Sequence, residues 1–296
     1  MNYNELSFIK FDGGRQLIWD ASSLDSFKRC PRYYQYNVLM GYRPKETVEN
    51  LTFGTALHGG IEEFDKQLFE GVSRNQALLT ALSTAIKLGA PLANSKDTAR
   101  TIETLTRAVV WYAEQFREDQ SVTAILPNGQ PALEVRYEVP WPGTRYRFSG
   151  RIDKLASIND ELYVVERKTT DAMLSDYYFN RYSPNTQVSA YIWALSEFLG
   201  VRISGVMIEA FQTAVSFTRI ERGIVHRSRD QLQEFVANTA MYLNHADEYH
   251  ETGVWPMNES ACMLYGGCKF RPVCERPAER RKTWLDSDFD LKPYKR

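Results

Sequence analysis

Apolar residues recur at helical spacing through residues 53–69, where Phe53, Leu57, Ile61, Phe64 and Leu68 form one stripe. The same period predicts helices over about 75–88 and 97–118, the second through Ile102, Leu105, Val109, Tyr112 and Phe116. At residue 132 the period changes. ALEVRYEVPW alternates apolar and polar as a half-buried strand does, and Pro140 with Pro142-Gly143 ends it. A β-hairpin is predicted over Phe148–Thr170, with Ser157-Ile158-Asn159-Asp160 as its turn. After a polar loop, Ser183-Pro184 is the predicted start of a helix Gln187–Leu199, with Val188, Ile192, Leu195 and Leu199 as its buried stripe. Residues 205–212 form a fourth, apolar strand. Strand, helix, strand then implies a crossover in a mixed sheet. A long amphipathic helix closes the pattern over 229–249.

The start of the chain is less periodic. Residues 15–20 read as an entry strand. Ser22 with Asp25 reads as a capping box for a helix through Leu24 and Phe27. Pro31 interrupts it and opens a second helix, Arg32–Met40, which leaves Cys30 at a junction. The first residues have no basic region followed by an apolar stretch, so no secretory signal is expected. No run of about 18 apolar residues exists, so no membrane span is expected.

Composition alters this picture in two places. With 296 residues, 43% hydrophobic and 13% aromatic, the chain can bury a substantial core. Its net charge of −1 and pI near 6.5 argue against a tight, non-specific duplex binder, yet permit local positive charge at a site. Of the four cysteines, Cys262, Cys268 and Cys274 cluster and Cys30 lies far upstream. Without a secretion signal, four thiols suit zinc or an iron–sulfur cluster better than disulfides.

The hairpin carries the candidate chemistry. An antiparallel pair brings Asp153 and Glu166 side by side, and Lys168, two residues on, faces the same way as Glu166. Two carboxylates beside an ammonium suit a hard divalent cation. His58 lies on the 53–69 helix with Glu62 one turn later. It is either a hydrogen-bonded histidine of the fold or a ligand. Gln187 and Tyr191 sit one turn apart on one side of their helix. Tyr33, Tyr34 and Tyr36 with Arg32 and Arg43 form one aromatic–basic group. Tyr177, Tyr178, Phe179, Arg181 and Tyr182 form another. Either could stack bases and hold phosphates, or the tyrosines could pack helix on helix.

Together these pieces resemble the RecB-type branch of the PD-(D/E)XK nucleases. Gly150-Arg151-Ile152-Asp153 matches the family's GxxD, Glu166-Arg167-Lys168 its (D/E)xK, and Gln187 through Tyr191 its QxxxY. The first helix ending in Cys30-Pro31, His58 on the next helix, and the terminal cysteines complete the order. These cysteines resemble the iron–sulfur staple of AddB and of CRISPR-associated RecB-like exonucleases, although the family's CxxC spacing is here Cys262-x5-Cys268. The resemblance implies an α/β, restriction-endonuclease-like fold: a mixed central β-sheet flanked by helices. A mainly helical part (15–130), a core (131–249) and a cysteine-rich tail (250–296) joined to Cys30 would form a single nuclease domain.

The resemblance also implies a division of labour. Asp153, Glu166, Lys168, Gln187 and Tyr191 are the catalytic set. His58, Asp153, Glu166 and the Arg167 carbonyl hold Mg²⁺ or Mn²⁺, with Glu134 as an extra ligand through water. Cys30, Cys262, Cys268 and Cys274 hold [4Fe–4S], or alternatively Zn²⁺. The expected protein is a cytoplasmic DNA-end exonuclease of recombination, repair or phage DNA processing, stand-alone because helicase motifs are lacking. The competing expectations are a non-catalytic DNA-binding module and an adaptation subunit that needs a helicase or recombinase partner.

Overall fold

The computed structural model describes residues 11–45, 49–95 and 97–294. The expectation about a secretory signal falls mostly on residues 1–10, outside the described residues. In chain order the strands are β1 (Phe11–Asp12), β2 (Arg15–Gln16), β3 (Ile18–Trp19), β4 (Tyr42–Pro44), β5 (Val122–Thr123), β6 (Leu133–Pro140), β7 (Arg147–Ile158), β8 (Glu161–Thr170), β9 (Gly205–Thr213), β10 (Thr218–Val225) and β11 (Phe289–Leu291). The helices are α1 (Ala21–Arg29), α2 (Pro31–Tyr34), α3 (Glu49–Phe69), α4 (Arg74–Leu88), α5 (Ile102–Gln115), α6 (Asp176–Asn180), α7 (Thr186–Leu199), α8 (Arg229–Thr252), α9 (Arg271–Cys274) and α10 (Ala278–Asp288). The chain divides into two compact units. Among the described residues, one holds 49–136 and 151–227, the other 11–45, 137–150 and 228–294.

In the first unit the strand order is β10-β9-β8-β7, and β5 and β6 also pair with β7. β7 and β8 are antiparallel, in register from Ile158↔Glu161 back to Lys154↔Val165. The turn between them is only Asn159-Asp160, both with positive φ, so β7 runs two residues further into it than the pattern predicted, while β8 starts at Glu161 as expected. Asn and Asp tolerate that left-handed conformation, which a type I′ hairpin turn requires. β9 runs parallel to β8, as a crossover through α7 demands. Every residue of β9 is buried, so it is central. β10, which the pattern did not predict, pairs antiparallel with β9.

Over these strands α3, α4 and α5 form a helical layer. Phe53, Leu57, Ile61 and Phe64 of α3 meet Ala77, Ala81 and Ala85 of α4 and Leu105, Val109 and Tyr112 of α5, with Phe211 and Ile220 from the strands. The alanines let α3 and α4 approach closely. A Cβ at Gly60 would meet the Ala85 Cβ at 2.9 Å. The mixed sheet flanked by helices is thus as expected.

In the second unit the helix cap differs from expectation. Asp20 is the cap of α1, accepting from Ser23 N, and Ser23 completes the box; Ser22 and Asp25 do not form it. The predicted Arg32–Met40 helix is a short α2 running into a π-turn, Gln35–Leu39. Trp19 stacks on Tyr34 at 5.0 Å, and Tyr34 OH donates to Gln16 Oε1. Gly150 is required here, because a Cβ would lie 2.2 Å from Tyr137 Oη. β4 pairs with β11, and Tyr36, Tyr42, Phe270, Val273, Leu285 and Phe289 build a second core beneath that pair. The tail therefore supplies four of the six buried residues of that core. Among the described residues no helix is long and apolar enough to cross a membrane.

Candidate active site

Strand alternation puts Glu166 and Lys168 of β8 on one side and Arg167 on the other. Glu166 is buried, and both of its oxygens are engaged. Oε1 accepts from Lys168 Nζ at 2.5 Å and from Gln187 Nε2 at 3.0 Å; Oε2 accepts from Tyr191 OH at 2.9 Å. Lys168 also donates to Gln187 Oε1 at 3.0 Å, and Gln187 Nε2 lies 2.7 Å from Tyr191 Oη. The Gln187–Tyr191 pair thus acts as one turn of α7 laid across the strand. Helix α7 starts one residue before Gln187. Asn185 caps it by accepting from Val188 N, while Ser183-Pro184 lies outside the helix with a cis bond, contrary to the predicted Ser-Pro start.

The β7–β8 ladder ends at Lys154↔Val165. One step beyond, Asp153 sits where the strands part. Its Oδ2 accepts the Arg167 backbone N–H at 2.8 Å, and its Oδ1 lies 3.2 Å from His58 Nδ1. Burial would raise the Asp153 carboxyl, but His58 and the Arg167 N–H outweigh it and hold it well below the usual carboxylate range. Burial likewise lowers His58, and the Asp153 carboxylate reverses that, leaving it raised. His58 therefore faces Asp153, and Glu62 is not its hydrogen-bond partner.

Glu134 joins the site from β6, paired with Arg151 Nε at 2.7 Å. Burial and then the Asp153 carboxylate push its carboxyl up to about 7. Its φ of 49° is a strained conformation for a glutamate, of the kind that gathers at functional sites at roughly 1–3 kcal/mol each. Glu62 is raised too, chiefly by burial.

No group of three or more His, Cys, Asp or Glu among the described residues is drawn together as a ready metal cage. The donors His58, Asp153 and Glu166 are instead engaged with Asp153, Arg167 N–H and Lys168. The donor set still fits a hard divalent cation. Burial first, and then the neighbouring Asp153 carboxylate, hold Glu134 raised, and a cation beside them would relieve both.

Of the two aromatic–basic groups, the second is largely core. Tyr178 and Tyr182 are buried with their hydroxyls 3.4 Å apart, Arg181 covers the Tyr178 ring at 4.1 Å, and Phe179 fills the space over Gly223. Tyr177 is 86% exposed and free to stack. In the first group Tyr34 and Tyr36 are buried, and Arg32 Nε donates to Trp255 O.

In the second unit the four cysteines are free thiols on neighbouring segments, not drawn into a ready cage. Asn258 bridges them: its N–H reaches Cys30 Sγ at 3.4 Å, and its carbonyl lies 3.8 Å from Cys262 Sγ. Cys268 N donates to Cys262 O at 2.8 Å. Burial raises the Cys268 and Cys274 thiols, and neighbouring sulfurs, Cys30 included, add to it. Gly266 and Gly267, both at positive φ, form the tight backbone between Cys262 and Cys268.

Sequence reasoning missed a buried cluster behind the hairpin. Asp65, Lys154, Arg167, Glu209, Arg222 and Asp119 form a run of ion pairs there. Its one visible signal was a glutamate in the middle of the apolar stretch GVMIEAFQ.

The family model described as the PD-(D/E)XK nuclease superfamily matches residues 19–275. Among solved structures, the 2.19 Å crystal structure of a candidate exonuclease from Eubacterium rectale is similar in fold. Identity is 15%, 90% of this chain and 93% of that one are covered, and the TM-score is 0.54. A structure of SSO0001 shares 15% identity over 88% of this chain and 87% of its own, with a TM-score of 0.39. No curated protein matches.

Proposed function

Since the chain belongs to the PD-(D/E)XK nuclease superfamily, we propose that it is a RecB-type deoxyribonuclease that uses Mg²⁺ or Mn²⁺ to hydrolyse phosphodiester bonds from DNA ends. The observation that carries this reading is the closed set Glu166–Lys168–Gln187–Tyr191, with Asp153 and His58 at the adjoining strand fork. When bound, the cation polarises the scissile phosphate and makes an attacking water more acidic. Asp153, Glu166, His58 and the Arg167 carbonyl are the residues that would hold it, and an imidazole donor tilts the choice toward manganese. Glu134 is the further acid within reach of the same spot.

The protein's own groups do the rest. Lys168, steered by Glu166 and Gln187, presents its ammonium to charge that builds on the phosphate. Tyr191 and Gln187 fix the rotamer of Glu166. Tyr177 is the side chain available to stack on the last base of a strand. A cytoplasmic place in a bacterial or phage-infected cell, in repair, recombination or phage DNA processing, accompanies this reading.

Preference for ends is tested with labelled DNA and Mn²⁺. Linear single or double strands are expected to be shortened to mononucleotides or short oligomers, and covalently closed circles of the same sequence to survive. Circles cut as fast as linear DNA would replace the exonuclease with an endonuclease. An isolated chain that cleaves only when a helicase or recombinase is added would support the partner-activated form instead.

For the cysteines the same reading assigns [4Fe–4S], with Zn²⁺ as the alternative. Four thiols on neighbouring segments, two of them raised by burial, and a glycine pair at the bend support a four-thiolate group. Protein purified without air is expected to be brown, absorbing near the blue edge of the visible range, with about four irons per chain by the stoichiometry of such a cluster. A colourless preparation with one zinc per chain would overturn the cluster.

A further inference from the structure

We infer that Asp65 and Glu209 are positioning residues for this site, acting through Arg167; the inference rests on the nuclease reading above. Arg167 lies between Glu166 and Lys168, and its guanidinium is 1% exposed. The two flanking side chains face the site, while Arg167 turns to the other side of the sheet. There its Nη2 donates to Asp65 Oδ2 at 2.5 Å and lies 3.3 Å from Tyr112 Oη; its Nε donates to Glu209 Oε2 at 3.2 Å. Its backbone N–H, meanwhile, holds Asp153. A single residue thereby ties β8 to α3, α5, β7 and β9.

Each carboxylate is held in turn. Glu209 is fully buried and is the cross-strand neighbour of Arg167. Its second oxygen, Oε1, accepts from Arg222 Nε at 2.8 Å and Nη2 at 2.6 Å, and Arg222 grips Asp119 with two further bonds. Arg222 stacks over the Phe116 ring at 3.7 Å. Lys154 Nζ lies 3.5 Å from Asp65 Oδ2. Three carboxylates thus face three cations. Burial raises the Asp65 carboxyl, yet Lys154 and Arg167 outweigh it and keep it low, so the pair is ionised.

Placement links the cluster to the site. Asp65 follows His58 by seven residues, two turns of α3, so both side chains leave the same side of that helix. One helix thus makes two anchors: Asp65 to Arg167, and His58 to Asp153. Arg167 closes the loop by donating its own N–H to Asp153. Releasing Asp65 frees α3 and the Arg167 strand segment together, and with them the spacing of His58, Asp153 and Glu166. Buried ion pairs contribute little to stability against apolar residues of equal volume, because desolvation offsets their attraction. Their directional bonds do fix orientation, and groups that orient metal-binding side chains typically matter by about 10–100-fold.

The test uses the full chain. Asp65→Asn and Glu209→Gln keep shape and remove charge. Asp65→Asn combined with Lys154→Met removes one carboxylate and one ammonium, so the remaining charges stay balanced and folding is protected. Three quantities are measured: affinity for Mn²⁺ alone by the paramagnetic signal of the free ion, single-turnover cleavage with its KM for DNA, and melting temperature. Mn²⁺ affinity and cleavage rate are expected to fall about tenfold or more, with KM for DNA within about twofold. The double variant is expected to melt close to wild type and yet stay slow, which a purely structural role would not produce. Mn²⁺ affinity and rate within about twofold of wild type in the folded variants would overturn the inference. An inactive Asp153→Ala control in the same assay would leave the nuclease reading standing. Wild-type protein that neither binds Mn²⁺ nor cleaves would sink that reading and this inference together.

Discussion

Replacing Lys168 with methionine is expected to slow single-turnover DNA cleavage by about 10²–10³-fold, the usual loss when one electrostatic partner of a transition state is removed. Methionine keeps the length of the stem and deletes only the ammonium. In the structure that ammonium donates to Glu166 Oε1 and Gln187 Oε1, and about a third of the side chain stays exposed. It is therefore aimed but accessible, as a group that must meet a phosphate should be. Glu166 keeps its bonds from Gln187 and Tyr191 in the variant, so its rotamer is retained and the melting temperature should move by only a few degrees. The rate is read at saturating Mn²⁺ with a 5′-labelled strand, so that weaker cation binding does not masquerade as slower chemistry. KM for DNA should change less than the rate, because the interaction grows as charge develops. A rate within about twofold of wild type would remove Lys168 from the chemistry and leave it as a partner of Glu166 only.

Most of this site was legible because it depends on local geometry. A two-residue period and a short polar turn suffice to place Asp153 beside Glu166, whatever the rest of the chain does. A four-residue separation on a helix suffices for Gln187 and Tyr191. The elements that were misread depend on choices between chemically similar residues. Asp20 and Ser22 both suit a cap, and only the chain's approach through β3 decides for Asp20. Ser183-Pro184 has the composition of a helix start, but Asn185 supplies a side-chain acceptor two residues nearer the first buried position. Strand β10 carries mixed charge and is only partly buried, so its alternation is weak. Its Arg222 has meaning only once Glu209 lies across from it. Beyond Glu209 in its apolar stretch, the ion-pair cluster could not be read, because its members come from α3, β7, β8, β9, β10 and the segment after α5. No periodicity joins residues so far apart in sequence.

The same distinction shows in what the two faces of β8 do. Glu166 and Lys168 are recognisable as chemistry because their neighbours in sequence form a known pattern. Arg167 falls in the position that pattern leaves free, and a reading of motifs gives it only a carbonyl. Its side chain nevertheless organises more of the unit than either flanking residue. The free position of a short motif is where one chain can differ from its relatives in how the site is held, without altering the reacting groups.

Truncating Phe270 to alanine is expected to cost about 3–5 kcal/mol, the range for removing a buried phenyl ring. Phe270 is almost fully buried, stacks on Phe289 with ring centroids 4.7 Å apart, and meets Tyr33 edge-on at 5.5 Å. It therefore joins three separate stretches: α2, the cysteine-bearing segment and β11. β4 and β11 pair over only three residues, Phe289↔Pro44 to Leu291↔Tyr42. So short a ladder depends on the ring stack beneath it. The backbone also turns at Phe270, whose carbonyl accepts from Cys274 N at 3.0 Å. Loss of the ring should loosen Cys268 and Cys274 while leaving Cys30 on its helix junction. Urea unfolding should show a lower midpoint. Hydrogen exchange should rise first at β11 and residues 268–274, with β8 and β9 still protected. Protection lost equally in β8 and β9 would mean that this core does not fail separately. A midpoint unchanged from wild type would show that Phe289 and Tyr33 close the gap unaided.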